Sequence, residues 1–452
     1  MRKNSDKMKV LIHDEDFTKH LQDALKLAAG NEEDLPTDEL HLGLVIGIPG
    51  SKQATLVHIA PCPPPEGDVD KTTWVARHAR LVERMLPGGV DVLGVAAIGP
   101  ASLFEKERAD VKQALISIHR ILTSSPQIYH YVQRVMLHVD PDSFKMTSRL
   151  IDIADPSGSG SPQDIKLVKK CTVFTELACD IVLQSFEHVP DEVIVQGLQK
   201  QMAIYTASLE STLGASEILI GGQRCEDSVM LTTHLASLAT GNNNGTAAVE
   251  FVLKQSAPPP QDLLDEKPVA LSGAGAQVLV QGSMRLRAVV PPRATCGEAV
   301  AAIRQDARRS LQARCRMHCE DFELIEGEQR DPSLRHELPK RVFLCREKAP
   351  SSVPFCDYVF HGDDPADCLQ AFDEILGLDI GVEDFEQDNE ASPTGEIREA
   401  EEAAQVEEMV EEMIQEGAKQ LRKDPVNVVI VVALSGCIAL LAVILGYFVL
   451  RE

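Results

Sequence analysis

Side chains able to carry chemistry are numerous in this sequence, but few stand at a working spacing. Cys315 and Cys319 lie four residues apart with His318 beside them, a helical spacing that can present two thiolates to zinc. No second ligand pair lies near them in sequence, so they read as ordinary thiols. The other nine of the eleven cysteines show no framework pattern, and an odd number without a signal peptide implies reduced cytosolic thiols. The thirteen histidines do not cluster, and His78 falls on an apolar helical face, where it reads as a core residue. IGIPGSK (46–52) contains glycines but lacks the GxxxxGK[ST] spacing of a phosphate cradle, and neither GxSxG nor HExxH occurs. Asn244-Gly245-Thr246 matches a glycosylation acceptor, which a cytosolic location leaves unused.

One stretch has the shape of an active site without its chemistry. VLGVAAIGP (92–100) is an apolar run that breaks at Gly-Pro and feeds a charged helix, ASLFEKERAD. Its tip offers Ala96, Ala97, Ile98 and Gly99, none of which binds a metal or moves a proton.

The elements that would position this tip follow from hydrophobic periodicity. Strands are expected at 41–50 and 54–61, followed by the extended proline cluster PCPPP. A helix over 74–86 places Trp74, Val75, His78, Leu81, Val82, Met85 and Leu86 on one face. Pro87-Gly88-Gly89 stops it, a buried strand follows at 90–98, and Ser102–Ser125 is helical with a stripe of Val111, Leu115, Ile118 and Ile121 or Leu122. Residues 131–155 suggest a strand pair and 155–164 a flexible loop. Beyond them come a strand at 173–186, a helix at 191–213, turn-rich breaks at 238–247 and 257–268, and strands in 276–291. A long helix over 296–324, strands at 339–345 and 355–360, and a helix at 364–378 complete the folded part. Arg304, Arg308, Arg309, Arg314 and Arg316 give the long helix a basic face, read as solvated rather than as a contact for an acidic partner. The fold class is α/β (α+β).

Composition sets the outer bounds. The 452 residues carry a formal net charge of −25, which argues against nucleic acid as a partner and favours basic ones. Acids dominate from Glu383 to Glu412, as in a solvated spacer. Residues 428–450, VVIVVALSGCIALLAVILGYFVL, carry no charge and no polar stripe. At about 1.5 Å per residue such a helix crosses a bilayer core of about 30 Å. Arg422 and Lys423 precede it, which places the long N-terminal part in the cytosol. The expected organisation is a domain over 1–255, a second α/β domain over 270–380, an acidic linker over 381–425 and a membrane tail anchor over 426–450.

The order strand, short strand, proline segment, helix, Pro-Gly-Gly, strand resembles the MPN or JAMM metalloprotease-like domain. Its active members end the second buried strand in Gly-x-x-His-x-His-Pro and carry a Ser and an Asp on the next helix. Gly94 and Pro100 match that frame here. The two histidine positions fall on Ala97 and Gly99, the serine position on Glu107, and Asp110 sits in register with the third ligand. The family glutamate would fall at Leu40, with Glu39 one residue off. One carboxylate cannot hold a zinc that needs three protein ligands, so the resemblance implies a degenerate site without metal or cofactor.

WVARHARLVERMLPGGVDVLGV (74–95), LPKRVF (338–343), FCDYVF (355–360) and the C-terminal apolar segment together resemble the odorant response abnormal protein 4 family. That resemblance implies a tail-anchored protein of the endoplasmic reticulum membrane, linked to maturation and trafficking of multi-pass receptors. It also implies a partner, the cysteine protease specific for the ubiquitin-fold modifier, and no catalysis by this chain itself. The expected function is a non-catalytic adaptor that recruits the protease to the bilayer. The alternatives are a membrane chaperone acting on receptor clients directly and, third, a metal-dependent peptidase using ligands around Asp110.

Overall fold

The apolar run HLGLVIGI forms strand β2 (His41–Ile48), buried along almost its whole length because it is covered on both faces. Leu42, Leu44, Ile46 and Ile48 pack outward into one hydrophobic cluster, while Val45 belongs to another with Leu56, Ile59, Leu93, Ile98 and Leu137. Alternation with period two explains this split, since neighbouring side chains leave opposite faces of a strand. Around β2 a closed seven-stranded barrel assembles from β1 (Lys9–His13), β3 (Gln53–Pro61), β4 (Asp91–Ile98), β5 (Gln133–Val139), β6 (Met146–Asp152) and β7 (Ser161–Val168), in the order β1-β3-β2-β4-β5-β6-β7. The barrel interior is the second, smaller cluster.

The computed structural model describes residues 9–13, 40–50, 53–64, 69–123, 133–141, 143, 145–155, 158–168, 174–189, 198–238, 246–252, 276–325, 338–360, 363–386 and 390. The expected tail anchor at 426–450 and nearly all of the acidic linker lie outside these residues, as do the turn at 257–268 and most of that at 238–247. Among the described residues no helix is long and apolar enough to cross a membrane.

Two helices cover the outer face of the barrel. In α1 (Lys71–Arg84) Asp70 caps the first turn by accepting from Thr73 N at 3.1 Å. The expected stripe holds at Val75, His78, Val82, Met85 and Leu86, whereas Leu81 is 42% exposed because its angular position falls at the rim of the face. In α2 (Ala101–Thr123) Val111, Leu115, Ile118 and Leu122 are buried, the predicted spacing. The loop expected at 155–164 is shortened, because β7 already begins at Ser161 and pairs with β6.

The second sheet is built on one long ladder. Strand β8 (Thr175–Val189) pairs antiparallel with β12 (Ala276–Val290) along fifteen residues, and β9 (Glu217–Ile220), β10 (Gln223–Arg224) and β11 (Thr246–Val252) extend it in the order β10-β9-β11-β8-β12. Strand pairing therefore crosses the boundary expected between 255 and 270. Helices α3 (Leu198–Ala215), α4 (Leu231–Ser237) and α5 (Cys296–Ile325) pack on this sheet. The buried stripe of α5, Ala299, Ile303, Ala307, Leu311, Cys315 and Cys319, repeats every four residues.

The hairpin β13 (Lys340–Phe343) and β14 (Cys356–Val359) returns to the barrel, where Val342, Phe355, Phe372 and Phe385 join the cluster under α1. The helix expected at 364–378 is a chain of short turns: a 3-10 turn at Pro365–Cys368, one α turn at Leu369–Ala371 and a π turn at Phe372–Leu376. Gly377 ends it in the left-handed conformation at φ +67°, and a Cβ there would also lie 2.7 Å from the Pro61 ring, so glycine is required twice over. The start of the expected linker belongs to this fold, since Phe385 and Glu390 are buried.

Candidate functional site

At the tip of β4 the positions compared above with a metal-ligand frame are packed, not open. Ala97 faces the helical layer and is fully buried, paired across the sheet with Leu42 on β2 and His138 on β5. Gly99 donates its N–H to Val139 O at 3.1 Å, and its carbonyl oxygen lies 2.9 Å from His138 Nε2. The His138 ring stacks on Phe104 of α2 at 4.3 Å between centroids. An imidazole thus stands beside the frame, absorbed by packing and a backbone bond. The sequence reading missed it because His138 comes from a different strand.

The two carboxylates of the frame diverge in role. Asp110 is exposed on α2. Glu107 faces Lys71 Nζ at 3.9 Å, and the same ammonium donates to Leu40 O at 2.9 Å. Lys71 therefore bridges the positions where the glutamate and serine of an active member would fall. A fixed positive charge there repels a divalent cation. Among the described residues no three His, Cys, Asp or Glu side chains converge on a common point.

Five of the described thiols are poor nucleophiles. Burial pushes Cys62, Cys179, Cys296 and Cys368 up to about 12 and Cys356 up to about 11, so none is a thiolate at neutral pH. Cys315 and Cys319 lie in the core of the second sheet, as ordinary packed thiols. His78 is buried, and loss of solvation lowers it to about 4, leaving a neutral core imidazole.

Where the motif residues do converge is the Pro-Gly-Gly turn. Gly88 donates to Arg287 O at 2.9 Å and accepts from Val289 N at 2.8 Å, splicing the turn onto β12. A Cβ on Gly88 would sit 2.1 Å from Ala302 O, and one on Gly89, at φ +79°, 2.2 Å from Val289 O. Only glycine lets α5 and β12 approach so closely. Helix α5 grips the same turn: Arg309 donates to Leu86 O, Pro87 O and Val90 O and pairs with Asp91 at 2.7 Å, while Gln305 Oε1 accepts from Gly89 N.

Beneath the turn lies a fully buried ion pair. Arg341 of β13 donates both terminal nitrogens to the Asp306 carboxylate, at 2.8 and 3.0 Å, with neither side chain exposed. Its Nε lies 3.0 Å from Cys356 Sγ, and its guanidinium stacks over Phe343. Burial opposes the charge on Arg341, yet Asp306, Cys356 and Tyr358 together outweigh that cost and hold the group protonated well above its ordinary range. Glu390 closes the network, accepting from Arg314 Nη2 at 2.6 Å, Arg285 N at 2.6 Å and Arg341 N at 3.0 Å. The basic face of α5 is thus not the solvated face expected. Arg309 and Arg314 are buried against their own chain, and Arg304 donates to Ser216 O. Charge count alone could not separate such internal donors from surface ones.

The arrangement joins elements; it offers no nucleophile, base and open cavity together. The chain matches the family described as Odorant response abnormal 4-like over residues 43–387. It is 26% identical over 381 residues to Protein odr-4 homolog of Gallus gallus, covering 78% of this chain and 82% of that protein. The Homo sapiens Protein odr-4 homolog is 26% identical over 376 residues, covering 76% and 80%. Odorant response abnormal protein 4 of Caenorhabditis elegans is 23% identical over 336 residues, covering 72% and 68%. A crystal structure of UfSP from C. elegans superposes with a TM-score of 0.42 at 8% identity, covering 82% of this chain and 57% of that one, too low a similarity to carry an argument. The family match spans the barrel tip, the Pro-Gly-Gly turn, α5 and the β13–β14 hairpin, and so all of the network just described except Glu390. On that match over three quarters of its length, the chain belongs to the Odorant response abnormal 4-like family.

Proposed function

We propose that this protein is a non-catalytic membrane adaptor in receptor trafficking, its barrel an MPN-like pseudoenzyme. The observation that carries the reading is the filled ligand frame: Ala97 and Gly99 stand at the two histidine positions, under a sealed helical layer. A site without ligands or access leaves the fold free to serve as a binding scaffold. Family membership and the relatives' names point to odorant response, which depends on receptors reaching their membrane. The uncharged run at 428–450 supplies an anchor in the endoplasmic reticulum, with the bulk of the chain on the cytosolic side.

In this reading the recruited enzyme is the cysteine protease specific for the ubiquitin-fold modifier. Anchoring acts through effective concentration, because a partner held on a membrane tether meets local substrates far more often than a free one. Deleting residues 428–452 is expected to release this protein and the protease together into the soluble fraction. Persistent membrane association of the truncated chain would refute the anchor. Release of this chain alone, the protease staying in place, would refute recruitment and leave direct action on receptor clients.

A further inference from the structure

Helices α1 and α5 meet at a cleft lined by Glu83, Arg84, Arg308, Arg309, Gln312 and Arg316. Two of its guanidinium groups are neutralised internally: Arg309 by Asp91 at 2.7 Å and Glu83 at 4.0 Å, Arg84 by Asp357 at 3.6 Å. The remaining cations are not. Arg308, Arg316 and neighbouring Arg80 form no hydrogen bond or ion pair with any described residue. The nearby carboxylates do not serve them directly. Glu210 accepts from Gln312 at 2.5 Å, and Glu320 acts on Arg316 only through its field. Arg308 and Arg316 are half-buried, and burial lowers both below the ordinary guanidinium range, with Arg80 and Arg84 adding repulsion at Arg316. A partly desolvated, unpaired cation cluster is costly, and on a chain of net charge −25 it is out of keeping with the whole.

We propose that this cleft is the docking site for an acidic segment of a partner protein. Carboxylates match guanidinium forks in charge and geometry. The cleft holds only about 30 Å³, room for about one water, so it encloses no small anion. Arg308 and Arg316 stand eight residues apart on α5, about 12 Å along the axis. Anionic groups must therefore be spread over that length, as they are along a run of glutamates or aspartates. The assignment goes beyond the adaptor reading and holds whichever protein supplies the segment.

The test uses the full chain in detergent and a fluorescein-labelled peptide of eight glutamates, followed by fluorescence anisotropy, with a lysine peptide of equal length as control. The glutamate peptide is expected to bind with salt-sensitive affinity, and R308Q/R316Q to bind it at least about tenfold more weakly. R308K/R316K keeps the charge without the fork and should recover part of the loss. The two arginines make no bonds among the described residues, so an unchanged thermal midpoint certifies that the variants fold. Equal affinity of wild type and R308Q/R316Q, or no binding by wild type, would overturn the proposal. So would a dimer in sedimentation that the double variant dissolves, which would assign the cleft to a second copy of this chain.

Discussion

Arg341 and Asp306 show how a charged side chain can be structural instead of catalytic. Both are wholly buried, and their bidentate pairing is completed by Arg287 N on Asp306 and by Cys356 Sγ on Arg341. Removing one member strands the other charge, at a cost of about 3–5 kcal/mol. R341M is therefore expected to lower the unfolding free energy measured in urea by that amount. Adding D306N, which keeps an oxygen for Arg287 N but removes the stranded charge, should restore part of it. If the double variant is no more stable than R341M, charge burial is not what the pair protects. At this scale the sequence was informative only about absence. Ala97 and Gly99 could be placed on a degenerate frame from their neighbours Gly94 and Pro100. His138 and Lys71 could not be connected to it, nor Asp306 to the Pro-Gly-Gly turn, since each comes from a separate element and pattern reading sees only local spacing.

Elements were far more legible, for a physical reason: periodicity is a local property. The helices over 71–84, 101–123 and 296–325 and strands β2, β3 and β4 follow runs whose burial repeats with the expected period. Strands β9 and β10 escaped because they are short, and β11 because it opens directly out of the turn-rich stretch at 238–247; β8 and β12 are distant in sequence, so their fifteen-residue ladder carries no local signal. The Pro-Gly-Gly stretch reads locally as a helix stop, but its larger role is close approach. G88A would drive a methyl to 2.1 Å from Ala302 O, a backbone atom that cannot swing aside. Overpacking of this kind costs about 1–3 kcal/mol, expected as a matching loss in thermal and urea stability. Gly214 near the end of α3 is the control, because a methyl there meets nothing within 4 Å. G214A should be neutral or stabilise by up to about 1 kcal/mol. Equal losses at both positions would show that close approach at the turn is not the determinant.

At the scale of the whole molecule, the network around the Pro-Gly-Gly turn ties the barrel to the second sheet. Gly88 is spliced to β12, Arg309 of α5 holds the turn's carbonyls, and Cys356 N donates to Met85 O at 3.0 Å, so neither sheet can unfold without exposing buried donors of the other. Two local probes make this testable. Trp74, the single tryptophan, sits on α1 with its Nε1 bonded to Pro63 O at 2.8 Å, and reports on the barrel layer. Cys179 and Cys315 are buried in the core of the second sheet and report on it through pulsed thiol labelling. In the full chain both probes are expected to follow one urea transition with a shared midpoint, because the junction is polar and buried. In R341M the junction is weakened without touching either probe, and the two midpoints should separate. Distinct midpoints already in the wild type would mean that the barrel and the sheet are independent folding units, with the Pro-Gly-Gly turn between them acting as a hinge. A shared midpoint that stays shared in R341M would place the coupling in the hydrophobic cluster under α1, where Val289 of β12 packs among the barrel's own side chains.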